Sequence, residues 1–371
     1  MAGSNQYPRF TSIIEALPDT VPFVAPEELE RRQGNTFNAR LGANESAFGI
    51  SEQAEHALHD AIRSTACSWY GDPLSYELRE KLSNTLGVGM DNLCVDAGID
   101  TLLGLTVRLF LQQGDVLVTS AGAYPTVNYH ATGVGGLIKT VPYRDNHEDT
   151  VALAAAAHEH NARLVYLANP DNPMGTQVDQ QAIETLIQQL PGNCTLLLDE
   201  AYVEFMVTQT TLPMNPAQEN VVRFRTFSKA YGMAGMRIGY AIGSTRLIQG
   251  YDKIRNHFGV NRLAQIAALA SLNDDQVLPR VQLAVEQGRQ RLYELAISQQ
   301  LPFLPSATNF VAVDIGSKER ATNLLNSLCE RGIFLRKPMH PPQDRFIRMG
   351  VGTPEEHQHL QRALPDLLTS L

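Results

Sequence analysis

The chain has 371 residues, more than the roughly 250–300 at which single cores stop growing, so its length predicts two domains. Its composition is that of a globular protein, and a net charge of −9 without a dense basic stretch argues against a nucleic acid partner. No apolar run reaches the ~18 residues that span a bilayer, residues 1–8 lack the features of a signal peptide, and the four cysteines have neither C-x-x-C nor zinc-ligand spacing. These absences predict a cytoplasmic protein with no membrane partner and no metal site.

The first 40 residues are predicted to be irregular because prolines recur in them, at Pro8, Pro18, Pro22 and Pro26. A segment of this kind cannot form a core alone, so we expect residues 1–45 to be an arm that packs with the smaller domain. Helical spacing of apolar residues predicts the first long helix at 51–66, with Ser51 as its N-cap, and a second helix at 74–86.

From residue 92 onward, short apolar strands alternate with helices. The predicted strands are 92–95, 115–119, 137–142, 163–168, 195–198, 221–226 and 238–242. The predicted helices between them are 98–110, 125–132, 150–160 and 179–190. This alternation predicts an α/β domain over 46–250, with a mostly parallel sheet flanked by helices.

The pattern changes after Gly243. The predicted helices are 244–254, 263–272, 279–298, 319–331 and 354–368, and the predicted strands are 309–313, 333–335 and 346–349. These elements predict a smaller α+β domain over 251–371.

Chemically distinctive residues follow successive strands of the predicted sheet, where open α/β sheets bind their ligands. They are a glycine turn at Gly98, the ring of Tyr124, the proline-rich loop 169–175, the segment 199–202 and Lys229. A buried lysine loses solvation of its charged form and becomes a nucleophile that forms Schiff bases. Each feature has an ordinary explanation by itself, such as a capped helix, a core tyrosine, a tight turn, an Asp–Arg pair or a surface lysine. Their ordered succession predicts a site for a phosphorylated, protonatable aromatic aldehyde, pyridoxal phosphate.

Several motifs carry a family resemblance. They are Ser228-Lys-Ala-x-x-x-Ala-Gly-x-Arg-x-Gly239, Tyr70-x-Asp-Pro73, Asn169-Pro-x-Asn-Pro-x-Gly175, Asp199-Glu-Ala-Tyr202, Asn309-Phe310 and Arg348-x-x-Val-Gly-Thr353. Together they resemble the fold-type I pyridoxal-phosphate enzymes of the class I/II aminotransferase superfamily, and the histidinol-phosphate aminotransferase group most closely. The resemblance covers nearly the whole chain.

The resemblance implies a role in cofactor binding for each matching residue. Lys229 would form the internal aldimine and then carry a proton, and Asp199 would pair with the pyridinium nitrogen. Tyr202 and Asn172 would hydrogen-bond the phenolate oxygen, and Tyr124 would stack on the ring. The groups implied for the phosphate are the residues Gly98, Ile99 and Asp100 at the glycine turn, with Thr226, Ser228 and Arg237.

The resemblance also implies the partners. Tyr70 would reach the phosphate of the other subunit, which implies a homodimer with shared active sites. Arg348 would hold the carboxylate of the substrate, with Asn309 and Asn44 nearby. The implied substrates are an amino donor, either an L-amino acid or an amino-alcohol phosphate such as histidinol phosphate, and a 2-oxo acid acceptor in a ping-pong cycle.

The identity of the donor stays open at this stage. The sequence departs from the family pattern at 46–49, at 121–123 and at 98–101, and the first two of these stretches face the side chain of the substrate. Arg336, Lys337 and His340 are either an anion site or a solvated strand end. A decarboxylase or lyase that uses the same cofactor is the alternative reaction, and a cofactor-binding sensor domain is the non-enzymatic one.

Overall fold

The computed structural model describes residues 8–19, 24–64, 66–206 and 213–369. Predictions that fall on residues 1–7 and 20–23, including that on the signal peptide, lie outside this part of the chain. The α-helices of the described residues are α1 Ser12–Glu15, α2 Pro26–Gln33, α3 Glu52–Arg63, α4 Tyr76–Leu86, α5 Ile99–Phe110, α6 Thr126–Gly133, α7 Thr150–Glu159, α8 Gln180–Gln189, α9 Thr245–Asp252, α10 Arg262–Asn273, α11 Val277–Ser298, α12 Lys318–Glu330 and α13 Pro354–Thr369.

The strands of the same residues are β1 Ala39–Arg40, β2 Leu93–Asp96, β3 Val116–Ser120, β4 Leu137–Val141, β5 Leu164–Ala168, β6 Thr195–Asp199, β7 Val221–Thr226, β8 Gly239–Ile242, β9 Phe310–Asp314, β10 Ile333–Phe334 and β11 Phe346–Gly350. The helices and strands predicted between residues 51 and 368 are present, with ends that differ by three residues or fewer. Side-chain caps account for several helix starts, since Ser51 Oγ accepts from Ala54 N–H and Asp179 Oδ1 accepts from Ala182 N–H.

The central sheet has the strand order β2-β8-β7-β6-β5-β3-β4. Its pairings are parallel except those that β8 makes with β7 and β2. Successive residues of β5 alternate between two cores: Leu164 and Tyr166 pack in the core with α5, α6 and α9, while Val165 and Leu167 pack in the core with α7 and α8. Both faces of the sheet are therefore covered, which is why its inner strands are apolar throughout. The predicted α/β fold with a mostly parallel sheet flanked by helices is confirmed.

The prediction that the first 40 residues are irregular is wrong for α1, α2 and β1. In α2, Pro26 occupies the first turn, where its missing N–H costs nothing, and Gly34 ends the helix in a left-handed conformation. Acidic residues in the first turn interact favourably with the helix dipole, as do Arg31 and Arg32 in the last turn, and these charges stabilise α2. The recurring prolines predicted a break, whereas this proline begins a helix.

The described part of the N-terminal arm contacts both halves of the molecule. Strand β1 pairs in parallel with β10, and Gly350 N–H donates to Leu41 O at 2.8 Å. Helix α1 instead packs against α6, beside the central sheet. The prediction that residues 1–45 pack with the smaller domain thus describes β1 but not α1, and the proposed boundaries at 45 and 250 stay a prediction.

The C-terminal elements form a second layer beside the central sheet. Strands β9 and β11 pair antiparallel over Phe310–Asp314 and Phe346–Gly350, with α11, α12 and α13 packed around them. The four cysteines are free. Within the described ranges, the structure has no helix that is both long and apolar enough to cross a bilayer.

Candidate active site

A cavity of ≈ 360 Å³ opens at the carboxyl ends of the parallel strands. Its volume is in the range of sites that bind small molecules. Its walls include the last residues of β5, β6 and β7, which are Ala168, Asp199 and Thr226. The predicted site residues in its walls are Ile99, Asp100, Tyr124, Asn172, Asp199, Tyr202, Thr226, Ser228, Lys229 and Arg237. Residues far apart in the sequence therefore meet at the edge of the sheet, as expected from the strand pattern.

Lys229 is partly buried at the centre of this cavity. Its Nζ donates to Asn44 O at 3.0 Å and lies 5.5 Å from the centroid of the Tyr202 ring. Burial, helped by the nearby Arg348 cation, lowers the pKa of Lys229 to about 8. A lysine with this pKa has a substantial neutral fraction near neutral pH, and the neutral amine is the form that attacks an aldehyde or accepts a proton.

Asp199 is 5% exposed and faces the cavity with neutral hydrogen-bond donors behind it. Tyr166 OH donates to its Oδ2 at 2.8 Å, and Ala201 N–H donates to its Oδ1 at 3.0 Å. Burial raises the pKa of Asp199 to about 6. A buried carboxylate held in this way is suited to a cationic group of a ligand, such as a protonated ring nitrogen.

The ordinary explanation for an acid at this place is a pair with a basic residue. It applies to Glu200, which is adjacent to Asp199. Arg223 Nη2 donates to Glu200 Oε1 at 2.5 Å, and Arg225 Nε donates to its Oε2 at 2.9 Å. The Arg223 and Arg225 cations hold the pKa of Glu200 below its usual value, despite its burial. Two neighbouring acids therefore have different surroundings, because Asp199 lines the cavity whereas Glu200 pairs with two arginines of β7.

A hydrogen-bond chain links the N-terminal arm to the cavity. Asn44 Nδ2 donates to Tyr202 OH at 2.9 Å, and Asn309 Nδ2 donates to Glu45 O at 3.1 Å. Asn44 Oδ1 and Asn309 Oδ1 are buried and have no hydrogen-bond partner among the described residues. Buried polar atoms usually have partners, so these two oxygens are unsatisfied acceptors in the part of the arm next to the cavity.

One end of the cavity has the groups of an anion site. The amino end of α5 lies there, after Gly98, whose φ of 87° favours glycine. Arg237 Nη2 lies 3.5 Å from Asp100 Oδ2, and Tyr124 OH donates to Asp100 Oδ1 at 2.9 Å. A Cβ atom on Gly98 would lie 2.8 Å from Arg237 Nη2, so a larger residue there would displace that guanidinium group.

Two hydroxyl groups lie at the end of β7, beside this anion site. Thr226 Oγ1 donates to Ser228 Oγ at 2.9 Å and accepts from Ser228 N–H at 3.0 Å. Hydroxyl groups, a helix amino end and a guanidinium group together are the donors that proteins use for a phosphate.

Arg348 lies on β11 and reaches the cavity through Asn172. Its Nη1 donates to Asn172 Oδ1, and its Cζ lies 5.4 Å from the centroid of the Phe310 ring. Burial lowers the pKa of Arg348 to about 10, and its Nε has no hydrogen-bond partner in the described part of the chain. Because Asn172 Oδ1 accepts from Arg348, the Nδ2 group of Asn172 is left to face the cavity. A buried arginine with an unused donor is suited to a substrate anion.

Tyr70 lies apart from the cavity of its own chain. Its side chain is 78% exposed, and its ring lies 5.0 Å from that of Phe258. Trp69 and Phe258 are exposed beside it. This placement agrees with a residue that acts on another copy of the chain, and the homodimer stays a prediction.

Two polar residues of the cavity wall, Tyr166 and Glu45, were not among the predicted site residues. Tyr166 lies in the middle of the buried strand β5, and its hydroxyl group orients Asp199. A tyrosine in an apolar strand is itself a signal, since its hydroxyl group needs a buried partner. Glu45 lines the cavity beside Asn44, and only the position of the N-terminal arm shows this.

The residues of the cavity fit the predicted pyridoxal phosphate. Three residues that line the cavity have suitable groups: Lys229 would supply the amine for its aldehyde, Asp199 a carboxylate for its ring nitrogen, and Tyr124 an aromatic ring. The anion site at α5 and β7 has the donors for its phosphate.

Comparison with known proteins gives the following matches. The family model described as aminotransferase class I and II matches residues 39–364. The chain is 32% identical to the histidinol-phosphate aminotransferase of Moorella thermoacetica, over 97% of this chain and 93% of that protein. It is also 32% identical to histidinol-phosphate aminotransferase 2 of Carboxydothermus hydrogenoformans, over 96% and 99%. The crystal structure of histidinol-phosphate aminotransferase from Sinorhizobium meliloti in complex with pyridoxal-5'-phosphate is 43% identical, with a TM-score of 0.95 and 99% of both chains covered.

Proposed function

This chain belongs to the class I and II aminotransferases and is a pyridoxal-phosphate-dependent enzyme, and from that premise we propose that its amino donor is histidinol phosphate. Its acceptor is a 2-oxo acid. The family and the relatives favour transamination over the decarboxylase or lyase alternative. The named substrate of these relatives is the starting point for the proposal, and the charges of the cavity support it.

The observation that carries the proposal is a pair of arginines beside the cavity: Arg348 contacts the wall residue Asn172, and Arg336 Nη2 donates to Val24 O at 2.8 Å. Arg336 and Arg348 are opposite each other in an antiparallel bridge, and the Arg336 cation contributes to the lowered pKa of Arg348. Glu45 and Tyr124, which line the cavity, both act electrostatically on Arg336. One arginine is enough for a carboxylate, whereas a second one beside it suits the dianion of a phosphate ester.

The mechanism assigns a task to each residue around the cofactor. When bound, pyridoxal phosphate supplies the electron sink that makes the Cα proton of the donor acidic. Lys229 Nζ takes this proton from Cα of the donor and returns it to the cofactor. Only a neutral amine can accept the proton, and the lowered pKa of Lys229 provides that form. Asp199 keeps the ring nitrogen protonated through its buried charge, and Tyr166 holds the carboxylate in place.

The arginine pair, which is separate from the anion site at α5 and β7, serves both substrates. Arg348 holds the phosphate of the donor together with Arg336, and the carboxylate of the 2-oxo acid after the first product has left. Asn44 and Asn309, on and beside the arm that contacts Lys229, lie next to the reacting end of the substrate. A single site that takes two substrates in turn requires a ping-pong order.

Replacing Arg336 tests the choice of donor. We expect Arg336→Gln to raise KM for histidinol phosphate by about 10- to 100-fold, because a charge-assisted hydrogen bond to the phosphate is lost. KM for 2-oxoglutarate and for unphosphorylated donors should change far less. The measurement is steady-state kinetics with histidinol phosphate, histidinol and a panel of L-amino acids.

Arg331→Gln is the matched control, because Arg331 lies 4.0 Å from Asp366 at an exposed position. It should leave the donor preference unchanged. A parent enzyme that uses histidinol or an L-amino acid as well as histidinol phosphate would contradict the proposed donor.

We also propose that the enzyme is a homodimer in which Tyr70 completes the phosphate site of the partner. Tyr70→Ala and Lys229→Ala proteins should each be nearly inactive. After subunit exchange, half of the dimers would carry one intact site, so about a quarter of the parental activity should return. Size-exclusion chromatography and an assay of the mixture measure this.

If Tyr70 acted within its own chain, the mixture would stay inactive.

We also propose that the protein is cytoplasmic. Its proposed division is into residues 1–45, 46–250 and 251–371.

A further inference from the structure

Two buried carboxyl groups lie at the loop that holds Asn172, Asp171 within the loop and Glu148 behind it. Glu148 is 4% exposed and Asp171 is 2% exposed. Their carboxyl groups lie within hydrogen-bonding reach of each other. Both lie outside the cavity walls, and the mechanism above gives neither of them a task.

Glu148 joins the ends of two strands. Ser120 Oγ, at the end of β3, donates to Glu148 Oε2 at 2.5 Å. Ala168 N–H, at the end of β5, donates to Glu148 Oε1 at 2.9 Å. Strand β3 leads to the loop of Tyr124, and β5 leads to the loop of Asn172. Glu148 therefore fixes the positions at which two loops of the cavity begin.

Asp171 fixes the second of these loops from within. Tyr143 OH donates to its Oδ1 at 2.9 Å, and Met174 N–H donates to its Oδ2 at 2.9 Å. Its own N–H donates to Thr176 O at 2.8 Å. The next residue is Asn172, whose Oδ1 accepts from Arg348. The position of Arg348 thus depends on Asp171 through a single intervening side chain.

The charges around the pair are compatible with one proton between the two carboxyl groups. Burial raises the pKa of both groups, and the Asp171 carboxylate raises that of Glu148 further, whereas the hydrogen bond with Glu148 lowers the pKa of Asp171. The other groups that act on the pair, or on which it acts, are Arg348, Tyr143, Asp199, Tyr166 and Tyr202. With one proton the pair carries a single negative charge, which faces the Arg348 cation from behind.

We infer that Glu148 and Asp171 share one proton and act together as positioning residues, holding the Asn172 loop and setting the charge that Arg348 presents to the substrate. This inference rests on the proposed role of Arg348 in binding the substrate anion. As the pH rises and the shared proton is lost, two adjacent carboxylates repel each other and the loop shifts. A second negative charge then lies behind Arg348 and weakens its hold on the substrate anion.

Glu148→Gln tests the inference because glutamine keeps the shape of the side chain and cannot lose a proton. In the parent enzyme, KM for the donor should rise at least about fivefold between about pH 7 and about pH 9, with a smaller change in kcat. In Glu148→Gln that rise should be absent, since the pair keeps its single charge on Asp171. The infrared spectrum should contain a buried carboxylic acid C=O band in the parent that is missing in the variant.

Thr106→Val is the matched control, because it removes a buried hydrogen bond, that of Thr106 Oγ1 with Tyr251 OH at 2.6 Å, far from the pair. Its pH profile should parallel that of the parent. An unchanged rise of KM with pH in Glu148→Gln, or a parent spectrum without the acid band, would overturn the inference. Arg348→Lys separates the two proposals: if it leaves KM for the donor unchanged, the role of Arg348 fails, whereas a raised KM with an unaltered Glu148→Gln profile rejects the acid pair alone.

Discussion

Lys229→Ala is expected to lower turnover by about 10⁴-fold or more, because it removes both the amine that binds the cofactor covalently and the base that moves the Cα proton. The purified variant should also lose the visible absorbance of the covalently bound cofactor. Borohydride treatment followed by mass spectrometry should find the cofactor fixed to Lys229 in the parent and no adduct in the variant.

Lys253→Ala is the control for this prediction, since Lys253 is an exposed lysine after α9. It should keep the absorbance and the turnover of the parent. A Lys229→Ala protein that retained both would refute the central assignment of the site.

Asp199→Asn is expected to lower kcat by about 10³-fold, which corresponds to about 4 kcal/mol of lost transition-state stabilisation. Asparagine keeps the size of the side chain, and its amide still accepts from Tyr166 OH. It lacks the negative charge that keeps the ring nitrogen protonated, so the electron sink is weakened. Single-turnover kinetics with the amino donor, followed by the change in cofactor absorbance, measure this step directly.

A buried acid elsewhere in the same sheet gives the control for Asp199→Asn. Asp96 is buried at the end of β2, and burial raises its pKa, but it does not face the cavity. Asp96→Asn should keep most of the parental kcat. If both variants lost activity equally, damage to the sheet would explain the effect better than a missing charge beside the cofactor.

Much of the fold could be predicted from the sequence because local signals there are strong. Ser51 and Asp179 cap the helices that were expected to begin at them, and the apolar residues of β6 form a strand covered on both faces. The N-terminal arm shows the limit of such signals. A proline in a sequence is compatible with an irregular segment and with the first turn of a helix. Only the structure shows that Pro26 starts α2.

The cavity could be predicted in outline because strand ends of a parallel sheet share one edge. Lys229, Asp199 and Tyr124 each follow a strand, so their convergence follows from the order of the elements. Which acid faces the ligand does not follow from it. Asp199 and Glu200 are adjacent, and the arginines that pair with Glu200 come from the neighbouring strand β7.

By itself, the sequence determined the fold class and the cofactor and predicted Lys229 as the residue that reacts with it, because helix caps, strand periodicity and the residues after each strand are local properties of the chain. Only the tertiary structure decided the contacts that tune the site: Tyr166 behind Asp199, Arg348 on Asn172, and Glu148 beside Asp171. Arg348 and Asn172 are 176 positions apart in the sequence. Contacts of this kind depend on which strands and loops become neighbours and on the direction of each side chain, and no local pattern fixes either of these.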